Sequence, residues 1–203
     1  MWCKYFINQT TLNILGLYRN DYGTSLHLRE IARAVHVDPK SVATQLKRLE
    51  KNNVIAGIQK GRNKEYSLNL GNYLTPYHMV LAEAFASIQY LDRNFEIKKL
   101  VSETGDSMGN AAILFGSFAK GTMTDESDID ILILADKKPN RSAFQAAGEL
   151  INREVSVKFA TEEQVLKGLS EGDPLMREIM ANHVILKGID SVCNIMWRYY
   201  ARR

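Results

Sequence analysis

The stretch from Leu114 to Leu134, LFGSFAKGTMTDESDIDILIL, decides the fold of this 203-residue chain. The apolar run Ala111 to Phe115 reads as a buried strand that ends at Gly116-Ser117, where a short helix is expected to start. A polar loop, Met123 to Ser127, then leads into Asp128-Ile129-Asp130-Ile131-Leu132-Ile133-Leu134. In a strand, residues i and i+2 point to one face, so Asp128 and Asp130 project together while Ile129 and Ile131 enter the core. Two adjacent carboxylates repel each other, and a hard divalent cation relieves that repulsion. Mg²⁺, or Mn²⁺ in its place, takes such oxygen ligands together with phosphates. Gly116 lets the backbone approach a phosphate closely, Ser117 offers a hydroxyl, and the helix start presents free N–H groups to an anion. Lys120, one helical turn further on, adds a cation. Gly116 stands twelve positions before Asp128, enough chain to fold the turn back against the acidic strand.

Gly-Ser, a downstream Gly and Asp-x-Asp opening a strand together resemble the signature of the DNA-polymerase-beta nucleotidyltransferase superfamily, and look closest to its minimal archaeal and bacterial members. The resemblance implies that metal and N–H groups hold a nucleoside triphosphate, that an acceptor attacks the α-phosphate, and that pyrophosphate leaves. Gly116, Ser117 and Lys120 would bind the nucleotide, and Asp128 and Asp130 would hold the metal. Active members of the superfamily place a third carboxylate on a later strand. The matching stretch here is Val155-Ser156-Val157, so Ser156 stands at that place. A serine cannot act as a carboxylate at neutral pH. Glu154 lies two residues away on the same strand face, ~6–7 Å along it, and is the further catalytic candidate.

The flanking sequence fits a mixed sheet with helices. Phe144 to Asn152 reads as a helix, and Arg153 to Phe159 as a strand with Val155, Val157 and Phe159 inward. Thr161 to Gln164 is a capping box, Asp173-Pro174 starts another helix, and Val184 to Leu186 is a short buried run.

Upstream, residues 4–20 carry apolar positions at helical spacing, Ser25 to His27 is extended, and Leu28 to Val35 is a second helix. Asp38 caps a third, with Pro39 at its first position, running to about Asn52. Val42, Leu46 and Leu49 line its inner face. Lys40, Ser41, Thr44, Gln45, Lys47, Arg48 and Lys51 are expected mostly on the other side. Val54 to Lys60 and Lys64 to Leu68 read as a hairpin turning at Gly61-Arg62-Asn63. The segment LREIARAVHVDPKSVATQLKRLEKNNVI, 28–55, resembles the winged-helix domains of prokaryotic regulators, whose third helix enters the DNA major groove. Lys40, Lys47, Arg48, Lys60, Arg62 and Lys64 would meet phosphates, and Ser41, Thr44 and Gln45 would read base edges. The alternative is a winged helix used for protein contacts alone.

Between these parts, Leu74, Tyr77, Leu81, Ala84, Ile88 and Leu91 recur along a helix from Asn72 to Asp92. The spacing fits either a homodimer seam or a helix packed on its own chain. The reading is thus α+β: a winged helix-turn-helix over 1–70, connecting helices over 71–104, and a nucleotidyltransferase-like domain with a mixed sheet flanked by helices over 105–203. The charge divides along the same line. Residues 1–70 hold 11 Lys/Arg against 5 Asp/Glu, a balance of +6, whereas residues 71–203 balance at −3. The basic part suits double-stranded DNA, and the acidic part needs a dedicated site for any anion. No apolar run approaches the ~20 residues of a membrane span, and no secretion signal is evident. Cys3 and Cys193 make no disulfide framework and fit a reducing cytoplasm. The four scattered histidines read as structural. Two functions follow: a Mg²⁺-dependent nucleotidyltransferase brought to DNA, or a DNA-binding transcription regulator whose transferase-like domain senses a nucleotide or serves as a dimer scaffold without turnover.

Overall fold

A computed structural model of the chain describes residues 7–201. They form two compact units that divide between Ala82 and Glu83. The connector of the sequence reading is shared between the two. Cys3 and the expected helical residues 4–6 lie outside the described residues.

The first unit contains α1 (Gln9–Gly16), β1 (Ser25–His27), α2 (Leu28–Ala34), α3 (Pro39–Lys51), β2 (Ile55–Lys60) and β3 (Asn63–Leu68). The strands form an antiparallel sheet in the order β1-β3-β2. Local chemistry sets the ends of α3. The Asp38 carboxylate accepts from the Ser41 N–H at 2.9 Å, and Pro39 occupies the first turn, where no N–H is needed. Lys60 pairs with Asn63, which leaves a two-residue turn, and Gly61 takes the left-handed φ of +59° at its first position. Ile14, Leu15, Tyr18, Ile31, Val42 and Leu46 are wholly buried. Each such side chain contributes ~1.5–3 kcal/mol of burial. The first helix is shorter than its apolar spacing suggests. Leu17 and Tyr18 already bond to the carbonyls of Ile14 and Leu15 in turns, yet Tyr18 stays in the core and donates its hydroxyl to the Tyr66 carbonyl at 2.9 Å.

Helix α4 (Thr75–Arg93) begins three residues later than expected. The Asn72 amide is held outside the helix, donating to the Asn52 and Asn53 carbonyls. Along the expected seam Tyr77, Leu81 and Ile88 are 67%, 46% and 59% exposed, Leu74 and Ala84 are half-buried, and Leu91 packs against the core of the second unit.

The second unit runs α5 (Phe95–Thr104), a single 3-10 turn (Gly105–Ser107), β4 (Ala111–Phe115), α6 (Gly116–Lys120), β5 (Ile129–Leu134), α7 (Arg141–Ile151), β6 (Val155–Ala160), α8 (Glu162–Glu171), α9 (Pro174–Ala181), β7 (Val184–Lys187) and α10 (Ile189–Tyr200). The sheet order is β6-β5-β4-β7. β4 pairs antiparallel with β5 and β7, and β5 pairs parallel with β6, which makes the sheet mixed. Ala112, Leu114, Ile129, Ile131 and Ile133 share one buried cluster with Ile97 and Leu100 of α5 and Phe144 and Ala147 of α7. α10 packs on β4, β7 and α8 and buries Val192, Cys193, Ile195 and Met196. On α4, Glu83 meets His183, just before β7, at 3.1 Å. Both side chains are almost wholly buried, and the other ring nitrogen of His183 lies 2.8 Å from the Met180 carbonyl.

Candidate active site

The second unit's candidate site grows from strand register. Phe115 at the end of β4 pairs with Asp130 of β5, and Asp130 pairs with Ser156 of β6. The first turn of α6 follows Phe115 directly. Gly116 has φ +72°, and a Cβ built on it would lie 2.5 Å from a carboxylate oxygen of Asp130. The glycine-serine bend therefore sits against the acidic strand. Glycine is required on two counts: the left-handed backbone costs other residues ~1–2 kcal/mol, and the acid fills the space a side chain would need. Gly116→Ala should destabilise the second unit by at least ~1 kcal/mol and push Asp130 aside. Thermal melting together with nucleotide binding checks this, and an unchanged melting midpoint would contradict it.

Asp130 is half-buried and Asp128 is exposed at the strand entrance. Burial pushes the Asp130 carboxyl above the usual carboxylate range, and the Asp128 and Glu178 charges push the same way. A hydrogen bond from the Ser156 hydroxyl and the charge of Lys158 pull it down. Ser156 thus takes the third place in the row, where a third acid would have been a competing charge. Glu154 is exposed just before β6; its carbonyl accepts from the Ile129 N–H, and its charge is not among those that shift Asp130. Glu178 of α9 occupies that electrostatic neighbourhood instead. Glu178 also holds Lys120, whose ammonium forms an ion pair with it. The fold thus engages the cation at the end of α6 with a carboxylate 58 residues away. Beside Ser156 opens a cleft of about 620 Å³, lined by Glu154, Lys158, Arg141, Leu175 and Met176 among others.

Sequence reading gave Arg153 no role beyond opening a strand. Its guanidinium donates to the Thr124 and Asp125 carbonyls, pairs with Glu96 of α5 and lies over the Phe118 ring at 5.6 Å. It fastens the loop that delivers Asp128. Its partners lie 28 to 57 residues away, so no local pattern could have revealed it.

Among the described residues, no group of three or more His, Cys, Asp or Glu side chains gathers as a metal site. Two hard carboxylates beside a bend with room only for glycine do fit a Mg²⁺ ion that takes its remaining ligands from phosphate and water.

In the first unit, Lys40, Ser41, Thr44, Lys47 and Arg48 are exposed on α3. Gln45 is not. It is 9% exposed, and its amide oxygen accepts from the Thr11 hydroxyl at 3.2 Å, which ties α3 to α1. The expectation that Gln45 reads a base edge fails on that burial. On the hairpin, Lys60 pairs with Glu65 at 2.7 Å and Lys64 with Glu50 at 2.6 Å. The Glu50 carboxylate raises the Lys64 ammonium above its ordinary range. Arg62, at the tip, makes no ion pair among the described residues.

A mixed sheet with an Asp-x-Asp strand beside a Gly-Ser bend defines a nucleotidyltransferase-type domain, and the comparison with family models agrees. Residues 90–191 match the family described as polymerase beta, nucleotidyltransferase, and the chain belongs to that family. Residues 7–56 match the family described as winged helix-turn-helix DNA-binding. No solved structure matches the chain.

Proposed function

We propose that the second unit transfers a nucleotidyl group from a nucleoside triphosphate to an acceptor, and that the first unit brings this activity to double-stranded DNA. The observation that carries the reading is the row Phe115–Asp130–Ser156 with Gly116 closed against the Asp130 carboxylate. Asp128 and Asp130 would hold Mg²⁺. The ion, when bound, polarises the phosphoryl oxygens and offsets charge on the departing pyrophosphate. The Gly116 bend and the Ser117 hydroxyl orient the phosphates, and the first-turn N–H groups of α6 donate to them. Arg153 keeps the Asp128 loop in place. Ser156 holds the Asp130 carboxylate toward the row. Incubation with each of the four nucleoside triphosphates labelled at the α-phosphate should give label transfer that a chelator abolishes.

The Ser156 hydroxyl favours a second reading, in which the unit binds the triphosphate without turnover and reports it to the DNA-binding unit. Nucleotide binding with no label transfer to any cell fraction would select it.

For the first unit, the exposed cations of α3 and Arg62 support contact with phosphates, and Ser41 and Thr44 are placed to reach base edges. The double change Lys47→Ala/Arg48→Ala should weaken duplex binding across sequences and reduce the slope of log affinity against log salt by about 2. An unchanged slope in a titration from low to physiological salt would remove this face from the interface. The exposed stripe of Tyr77, Leu81 and Ile88 supports a homodimer, in which two winged helices read two half-sites.

A further inference from the structure

We propose that the Lys158 ammonium supplies the second positive charge facing the triphosphate, so that the site operates with a single divalent ion. The proposal rests on the nucleotide-site reading above and identifies one of that site's own binding residues. In the strand register Asp130 pairs with Ser156 and Leu132 with Lys158, so Ser156 and Lys158 share the face of β6 that continues the Asp130 row. Lys158 is exposed and lines the same cleft as Ser156. Among the described residues it makes no ion pair. The site's other nearby cations are engaged: Lys120 with Glu178, Arg153 with Glu96 and the loop carbonyls, and Arg141 as a donor to the Val157 carbonyl.

Charge balance gives the reason. In a two-metal phosphoryl-transfer site, a third carboxylate and the second dication it helps to hold together add one net positive charge. A neutral serine and a lysine on the same strand face add the same net charge. Ser156 cannot hold a second dication as a carboxylate would, and the polyphosphate still requires the compensation. An ammonium on a flexible stem can contact phosphate as a point charge. It cannot bind the acceptor's oxygen as a metal would, so the exchange preserves phosphate binding better than activation of the attacking hydroxyl.

The test counts metal ions and measures affinity without turnover. Each of the four α,β-imido ribonucleoside triphosphates is titrated with Mn²⁺ into the full chain, with bound Mn²⁺ read by electron paramagnetic resonance. Wild type should bind one Mn²⁺ per nucleotide complex. Lys158→Met should weaken nucleotide binding about tenfold or more, a size ordinary for a charge-assisted phosphate contact, and Lys158→Arg should restore most of it. Ser156→Asp combined with Lys158→Met should bind a second Mn²⁺. Two ions in wild type, or a Lys158→Met affinity equal to wild type, would overturn the proposal. Asp130→Ala separates the levels. If it abolishes binding while Lys158→Met is silent, only the lysine's role falls. If Asp130→Ala is also silent, or wild type binds no nucleotide, the site reading falls with it.

Discussion

Asp130→Ala should lower nucleotidyl transfer by about 1,000-fold or more, equivalent to ~4 kcal/mol of transition-state stabilisation, while leaving the fold intact. The two halves of this expectation have separate causes. Asp130 stands at the centre of the row that joins β4, β5 and β6, with the Gly116 bend against its carboxylate and Ser156 opposite it on β6. Its removal takes away the one acid in contact with both sides of the site. Stability should not fall with activity, because burial and the Asp128 and Glu178 charges all disfavour the ionised carboxylate in the folded chain. The melting midpoint should therefore stay where it is or rise, as at other sites where function holds like charges together. Label transfer from an α-labelled triphosphate and thermal melting, measured on the same preparation, give both readings. A large fall in midpoint alongside lost transfer would make Asp130 a structural residue.

The second large effect lies away from the chemistry. Glu83→Ala should cost the second unit about 1–3 kcal/mol or more, the range for leaving a buried hydrogen-bonding group without its partner. Glu83 and His183 meet at 3.1 Å with both side chains almost wholly enclosed, and the pair ties α4 to the segment just before β7. Alanine takes the carboxylate from the imidazole and leaves a void in its place. Glu83→Gln keeps the shape and an acceptor oxygen and should cost clearly less. Urea unfolding followed by a probe in the second unit distinguishes the two, and a loss under ~1 kcal/mol for Glu83→Ala would show that water replaces the carboxylate readily.

Much of this architecture is legible in the chain wherever the signal is local. The apolar run along Ile129 to Leu134 announces a buried strand, Asp38-Pro39 starts a helix, and Thr161 with Gln164 closes a capping box with both reciprocal bonds. The row of Phe115, Asp130 and Ser156 follows once the strands are ordered. What escapes is set by partners distant in sequence. Lys120, Lys60 and Lys64 read as available cations, and each is met by a carboxylate on another element. Gln45 sits at the border of an amphipathic face, where a small rotation of α3 decides whether its amide meets α1 or solvent. The terminal helix α10, with its mixture of Trp, Tyr, Arg and apolar residues, gave no sharp punctuation besides Gly188, and sequence reading stopped at β7. Arg153 and Glu83 look like ordinary surface charges until the fold encloses them.

The Arg153 clamp has a consequence for ligand capture. A loop that orders only when substrate arrives gives up part of the interaction free energy to its own immobilisation, ~1–2 kcal/mol for each residue that must be fixed. Here the carbonyls of Thr124 and Asp125 are already tethered to a guanidinium anchored on α5. The loop before Asp128 is therefore tied down in advance, and in the proposed site the affinity for a triphosphate would not be diminished by the freezing of that segment.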